Sequence, residues 1–144
     1  MGNKLTAIAT ETISIPVSNV WQALIDPALI KHYLYGTEVI SDWKKGSTII
    51  YKGEWQGNTY EDKGTILEIE PKKLLYTTYF SSLSGKEDIP ENYANVIYSL
   101  SEGNKQTILT ITQDNLDTEH DRIIAVNNWK SVLQTMKEFL ENGG

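Results

Sequence analysis

The chain has no cysteine, which excludes disulfide staples, thiolate nucleophiles, iron–sulfur clusters and thiolate zinc sites together. Its two histidines, His32 and His120, stand apart, and neither sits in an H-E-x-x-H or triad-like context. G-x-S-x-G, P-loop and G-x-G-x-x-G patterns are also missing, so the common hydrolase, metalloprotease and nucleotide-binding chemistries lack their machinery. Positive charge is scarce and scattered. Lys+Arg 13 against Asp+Glu 19 leaves a net charge of −6 with no basic run, which argues against nucleic acid as a partner, because phosphate backbones need clustered cations. No apolar stretch approaches the ~20 residues of a membrane span, and residues 1–15 alternate polar and apolar instead of forming a secretory signal core. The resulting expectation is a cytoplasmic protein with no membrane span, no metal and no cofactor.

What is present is one domain's worth of ordinary globular sequence: 144 residues, 40% hydrophobic and 22% charged. Met1-Gly2-Asn3-Lys4-Leu5-Thr6 fits the loose pattern for N-myristoylation, a modification that anchors weakly by itself. Leu5, Ala7, Ala9, Glu11, Ile13 and Ile15 alternate, predicting a strand over 4–15. Ser18 then precedes a short helix over 19–25, with Val17, Val20, Trp21 and Leu24 at helical spacing. Asp26-Pro27, an N-cap followed by a first-turn proline, starts a second helix through Leu29, Ile30 and Tyr33 that Gly36 closes.

Strands are predicted at 37–42, 48–55, 59–70, 74–81, 94–101 and 106–113, mostly separated by hairpin-length breaks, which imply an antiparallel sheet. The loop over 82–92 is too long for a plain hairpin and is a natural place for function. Thr118-Glu119-His120-Asp121 opens a long helix running to about 142, whose inward stripe is Val126, Trp129, Leu133, Met136 and Leu140, flanked by Val132 and Phe139. Such a stripe demands one broad apolar partner, and the sheet is the only candidate. The expected fold is therefore α+β. A curved antiparallel sheet of six to seven strands wraps a long C-terminal helix, two short helices follow the first strand, and the space between sheet and helix is left as a pocket.

The order of several segments carries a resemblance. Val20-Trp21-Gln22-Ala23-Leu24 with Asp26-Pro27 follows the first strand, and Gly64-Thr65-Ile66-Leu67-Glu68-Ile69-Glu70-Pro71 leads to Leu74-Leu75-Tyr76. Ser84-Gly85 with Asp88, Pro90-Glu91-Asn92-Tyr93, Thr110-Ile111-Thr112-Gln113-Asp114-Asn115, and Asn128-Trp129 with Val132-Leu133 complete the set. In this order they resemble the START-like, Bet v 1-like (SRPBCC) superfamily with its helix-grip fold, and more narrowly its activator of Hsp90 ATPase homologue-like branch. The resemblance implies a cavity that in other members holds lipids, sterols, plant hormones or polyketides. It also implies cyclase or aromatase activity in some members and a co-chaperone role in one.

Among the residues themselves, aromatic usage says most: Tyr 8 and Trp 4 against Phe 2, side chains that join an apolar body to a polar handle. Ile49, Tyr51, Gly53 and Trp55 share one strand face, as do Leu75, Thr77 and Tyr79, then Val96, Tyr98 and Leu100, then Leu109, Ile111 and Gln113. The candidate ligand-binding residues are Tyr51, Trp55, Tyr79, Tyr98, Gln113, Asn128, Trp129, Leu133 and Met136, with Asp88, Glu91, Asn92 and Tyr93 as a loop rim. The plainer alternative is that these side chains fill the core and that the amides of Asn92, Gln113 and Asn128 form a structural clasp. Asp114, Asp117, Glu119 and Asp121 lack calcium-loop spacing and suit a helix start. The leading expectation is a domain binding a hydrophobic or aromatic small molecule. A co-chaperone-like module with a protein partner and a cyclase-like enzyme are the alternatives.

Overall fold

The structure of the protein, a computed structural model, describes residues 4–143, the Trp55 side chain excepted. The start of the acylation pattern, at Met1, Gly2 and Asn3, therefore lies outside the described residues. In chain order the elements are β1 (Leu5–Ile13), α1 (Val17–Ile25), α2 (Pro27–Tyr33), β2 (Glu38–Ser41), β3 (Thr48–Trp55), β4 (Asn58–Glu70), β5 (Leu74–Tyr79), β6 (Ala94–Glu102), β7 (Thr107–Leu116) and α3 (Glu119–Glu141). A single 3-10 turn at Pro90–Asn92 interrupts the loop before β6. The strands form one antiparallel seven-stranded sheet in the order β1-β7-β6-β5-β4-β3-β2. This is the expected helix-grip α+β architecture: a meander from β2 to β7, with β1 laid on the outer edge of β7.

Local chemistry sets the element boundaries. α1 begins two residues earlier than Ser18 predicts, because Pro16 occupies the N-cap position and its φ of −61° already sets the extended entry, with no side-chain cap. Asp26 caps α2 as expected, its carboxylate accepting from the Ala28 N–H at 2.9 Å. β1 stops at Ile13, where the Ile15 N–H turns back onto the Ile13 carbonyl at 2.9 Å. β5 ends at Tyr79, and Phe80 keeps only an isolated bridge to Lys63.

β4 serves two neighbours. Thr59 and Thr65 pair with Glu54 and Thr48 of β3, while Ile66 and Glu70 pair with Thr77 and Leu74 of β5 across a register shift between Ile66 and Glu68. At the changeover stands Gly64, where a Cβ atom would lie 1.8 Å from the Thr78 carbonyl oxygen. Only glycine admits that approach.

The core lies between the sheet's inner face and α3 with α1, and holds Ile13, Val20, Ile49, Ile66, Leu109, Ile111, Leu133 and Met136 almost free of solvent. Thr118 caps α3 by accepting from the Asp121 N–H at 3.1 Å. The helix packs mainly on β1, also meeting β7 and α2, through Ala125, Val132, Leu133, Met136 and Leu140. Seated toward that side of the sheet, α3 leaves a space above β3 to β6. No helix among the described residues is long and apolar enough to cross a membrane.

Candidate functional site: a cavity between sheet and helix

The space between the sheet's inner face and α3 is a cavity of about 770 Å³, within the usual size range of small-molecule sites. Register explains who lines it. Gln113 stands opposite Val96 and Tyr51 opposite Asp62, so a period of two brings side chains from β3 to β7, five strands, to one face. Ala125, Asn128, Trp129 and Val132 of α3 form the facing wall, and Leu34, Tyr35 and Thr37 close one end. The Tyr35 hydroxyl meets Ser131 Oγ at 2.9 Å and so ties the α2–β2 turn to α3 beside the opening. Gly53 makes room for the Tyr60 ring opposite it: a Cβ there would lie 2.3 Å from Tyr60 Oη, which instead reaches Thr37 Oγ1 at 2.6 Å.

The walls are aromatic and their rings are set at steep angles. Tyr51 and Tyr79 meet edge to face at 5.6 Å and 74°, Tyr98 and Trp129 at 6.0 Å and 90°. Trp129 donates its indole N–H to Gln113 Oε1 at 2.8 Å. Tyr79 donates to Asp62 Oδ2 at 2.6 Å, while Ser82 donates its backbone N–H at 2.8 Å and its hydroxyl at 3.1 Å to Asp62 Oδ1. The Tyr51 and Tyr98 hydroxyls have no hydrogen-bond partner among the described residues. Burial pushes both phenols well above the usual tyrosine range, and burial followed by the Asp62 bond does so for Tyr79. All three therefore stay neutral at any ordinary pH. At the mouth, Lys86 Nζ pairs with Asp117 Oδ2 at 3.0 Å, and Asp117 also pairs with Lys4. Hydrogen bonds from Lys4 and then Lys86 hold the Asp117 carboxyl down at about 2. No group of three or more His, Asp or Glu among the described residues is placed to hold a metal ion.

The model of the family described as Activator of Hsp90 ATPase homolog 1-like protein matches residues 14–141. The chain belongs to this family. Among solved structures, ChR145 from Cytophaga hutchinsonii is 46% identical, with a TM-score of 0.87 over 99% of this chain and 97% of that one. CalU16 from Micromonospora echinospora is 22% identical with a TM-score of 0.70, covering 95% of this chain and 83% of its own. The Aha1 dimer from Colwellia psychrerythraea is 19% identical with a TM-score of 0.75, covering 96% and 98%. These last two show the fold alone. Among curated proteins none matches the chain.

In this Activator of Hsp90 ATPase homolog 1-like domain, six of the expected residues line the cavity: Tyr51, Tyr79, Tyr98, Gln113, Asn128 and Trp129. The Trp55 side chain lies outside the described residues. Leu133 and Met136 are elsewhere, at 1% and 0% exposure inside the core, because they project into the packing of α3 and not toward the cavity. The expected rim also folds differently. Asp88 pairs with Lys63 at 2.5 Å and accepts from the Tyr93 hydroxyl, Asn92 donates to the Glu87 carbonyl at 2.9 Å, and Asn115 donates to the Glu91 carbonyl at 2.8 Å. The loop reaches the cavity through Ser81, Leu83 and Lys86 instead. The clasp alternative takes a different form as well: Gln113 holds Trp129, whereas the exposed Asn128 side chain has no hydrogen-bond partner among the described residues.

Asp62, Tyr60 and Thr37 went unread in the sequence. For two of them a signal existed, since Tyr60, Asp62, Gly64 and Ile66 alternate along β4 and place an acid on an inward row that ends in isoleucine.

Proposed function

We propose that the protein is a cytoplasmic binding domain that takes up a hydrophobic or aromatic small molecule between the sheet and α3. One observation carries this reading: a ligand-sized cavity with four aromatic walls offers two phenolic hydroxyls, Tyr51 and Tyr98, that no described residue engages. Hydroxyls that open onto a cavity take their partner from whatever fills it, and a ligand hydroxyl, carbonyl or similar group supplies one. Affinity would come from apolar ligand surface removed from water, at roughly 25 cal/mol per Å² before entropic costs.

Native mass spectrometry of freshly purified protein, with denaturing extraction of any retained compound, tests the reading, followed by thermal-shift measurements with sterols, fatty acids and flavonoid-like aromatics. The expected result is a retained compound or a saturable rise in melting temperature with one class. An empty protein that no class stabilises overturns it. A second reading, a protein-interaction module in keeping with the family description, draws on Tyr35, Leu83 and Ile124, exposed apolar side chains gathered at the cavity mouth. It predicts that Ile124→Asp abolishes capture of a partner in a pull-down against the parent chain.

A further inference from the structure

Resting on that binding reading, we infer that the ligand is an organic cation: a positively charged nitrogen centre carried on an apolar or aromatic body. The charges around the cavity are unbalanced. Glu54, Asp62, Asp117 and Asp121 line it; Lys86 and Lys4 both pair with Asp117, and Glu54, Asp62 and Asp121 pair with no cation among the described residues. Asp62 is the telling member. It is 7% exposed, accepts three hydrogen bonds and donates none, the pattern of a carboxylate, and among the described residues no cation pairs with it. A buried anion without a countercharge is costly even when hydrogen-bonded, and the side of it that faces the cavity is where compensation can enter.

The rings around Asp62 suit the same occupant. Tyr51 stands opposite it in register, Tyr79 donates to it, and Tyr51 and Tyr79 meet edge to face. In an edge-to-face pair one ring keeps both faces clear of its partner, and such faces attract an ammonium or quaternary nitrogen through the ring quadrupole. Tyr98 and Trp129 repeat the arrangement on the helix side. The phenols remain neutral because burial disfavours their ionised form, so the Tyr51 and Tyr98 oxygens offer lone pairs without adding charge. A fatty-acid carboxylate or a phosphate entering this space would meet uncompensated carboxylates on a chain whose net charge is already −6. The geometry admits the cation and disfavours the anion.

The test uses the full chain and three probes of matched shape: benzyltrimethylammonium, its uncharged isostere neopentylbenzene, and phenylacetate as the anion. Binding is followed by NMR titration, with shift changes mapped to cavity residues. The cation is expected to bind about tenfold or more tightly than the isostere, and the anion not measurably. Asp62→Asn should bring the cation down to the isostere's affinity while leaving the isostere unchanged. Because Asp62 also orders Ser82 and Tyr79, Tyr51→Leu is the companion variant; it removes a ring without removing a hydrogen bond and should weaken the cation more than the isostere. An isostere or anion that binds as well as the cation overturns the charge inference and leaves the cavity reading standing. Failure of all three probes to bind overturns the charge inference, and the retained-compound and thermal-shift measurements then decide the cavity reading by themselves.

Discussion

Gln113 ends an apolar strand with an amide oxygen that is spoken for by the Trp129 indole. Gln113→Leu leaves that half-buried N–H without its acceptor, and the expected cost is about 1–2 kcal/mol in urea denaturation, with cavity binding altered in parallel. Asp117 makes a different kind of contact, gathering Lys4 from the chain's start and Lys86 from the long loop. Its folded-state carboxyl is depressed to about 2, below the ordinary ~3.9, so the fold is favoured by its ionised form. That contribution is fully present above pH ~4 and is lost as pH falls through about 2. Melting temperatures measured across this acid range should therefore fall less steeply for Asp117→Asn than for the parent chain. Residue positions on the cavity wall were legible where a side chain's type and its strand position agreed, as for Tyr51, Tyr79 and Tyr98. They were illegible for Asp88 and Tyr93, where partners brought together by the loop's path decide everything.

At the scale of elements, a period of two leaves little freedom, since a slip of one residue would turn an entire strand face outward. That is why the inward sets Leu109–Ile111–Gln113 and Val96–Tyr98 could be read directly and are found paired across β6 and β7. The long helix is less explicit. A 3,4 spacing identifies an apolar stripe but not which part of it meets β1 and which part overlooks the cavity, so Trp129 and Leu133, one turn apart, have different fates. β4 carries the sharpest local constraint. Gly64→Ala forces a methyl into the Thr78 carbonyl, and a loss of about 1–3 kcal/mol, or outright failure to pair β4 with β5, should appear in denaturant titration.

The whole molecule follows from layers that the order of elements already implies: one sheet, one long helix, and two short helices joining the first strand to the rest. What that order does not imply is where the helix rests, because any position over the inner face would bury its stripe. The sideways seat of α3 over β1, and hence the cavity, comes from packing in three dimensions. β1 itself pairs with one neighbour alone, β7, with Ile13 against Thr107 and Leu5 against Leu116. β1, made before the other six strands, must therefore wait for β7, the last of them, while β2 to β7 can zip together through neighbouring hairpins. Closing so long a loop is slow, and strand pairings of this kind tend to form late in folding. Ala9→Gly in β1 should accordingly speed unfolding and leave the refolding rate nearly untouched in stopped-flow experiments, whereas equal change in both would place β1 in the nucleus. Until β1 arrives, β7 is an unguarded edge, and crowding of nascent chains at that stage is the moment when this protein is most exposed to mispairing with its own copies.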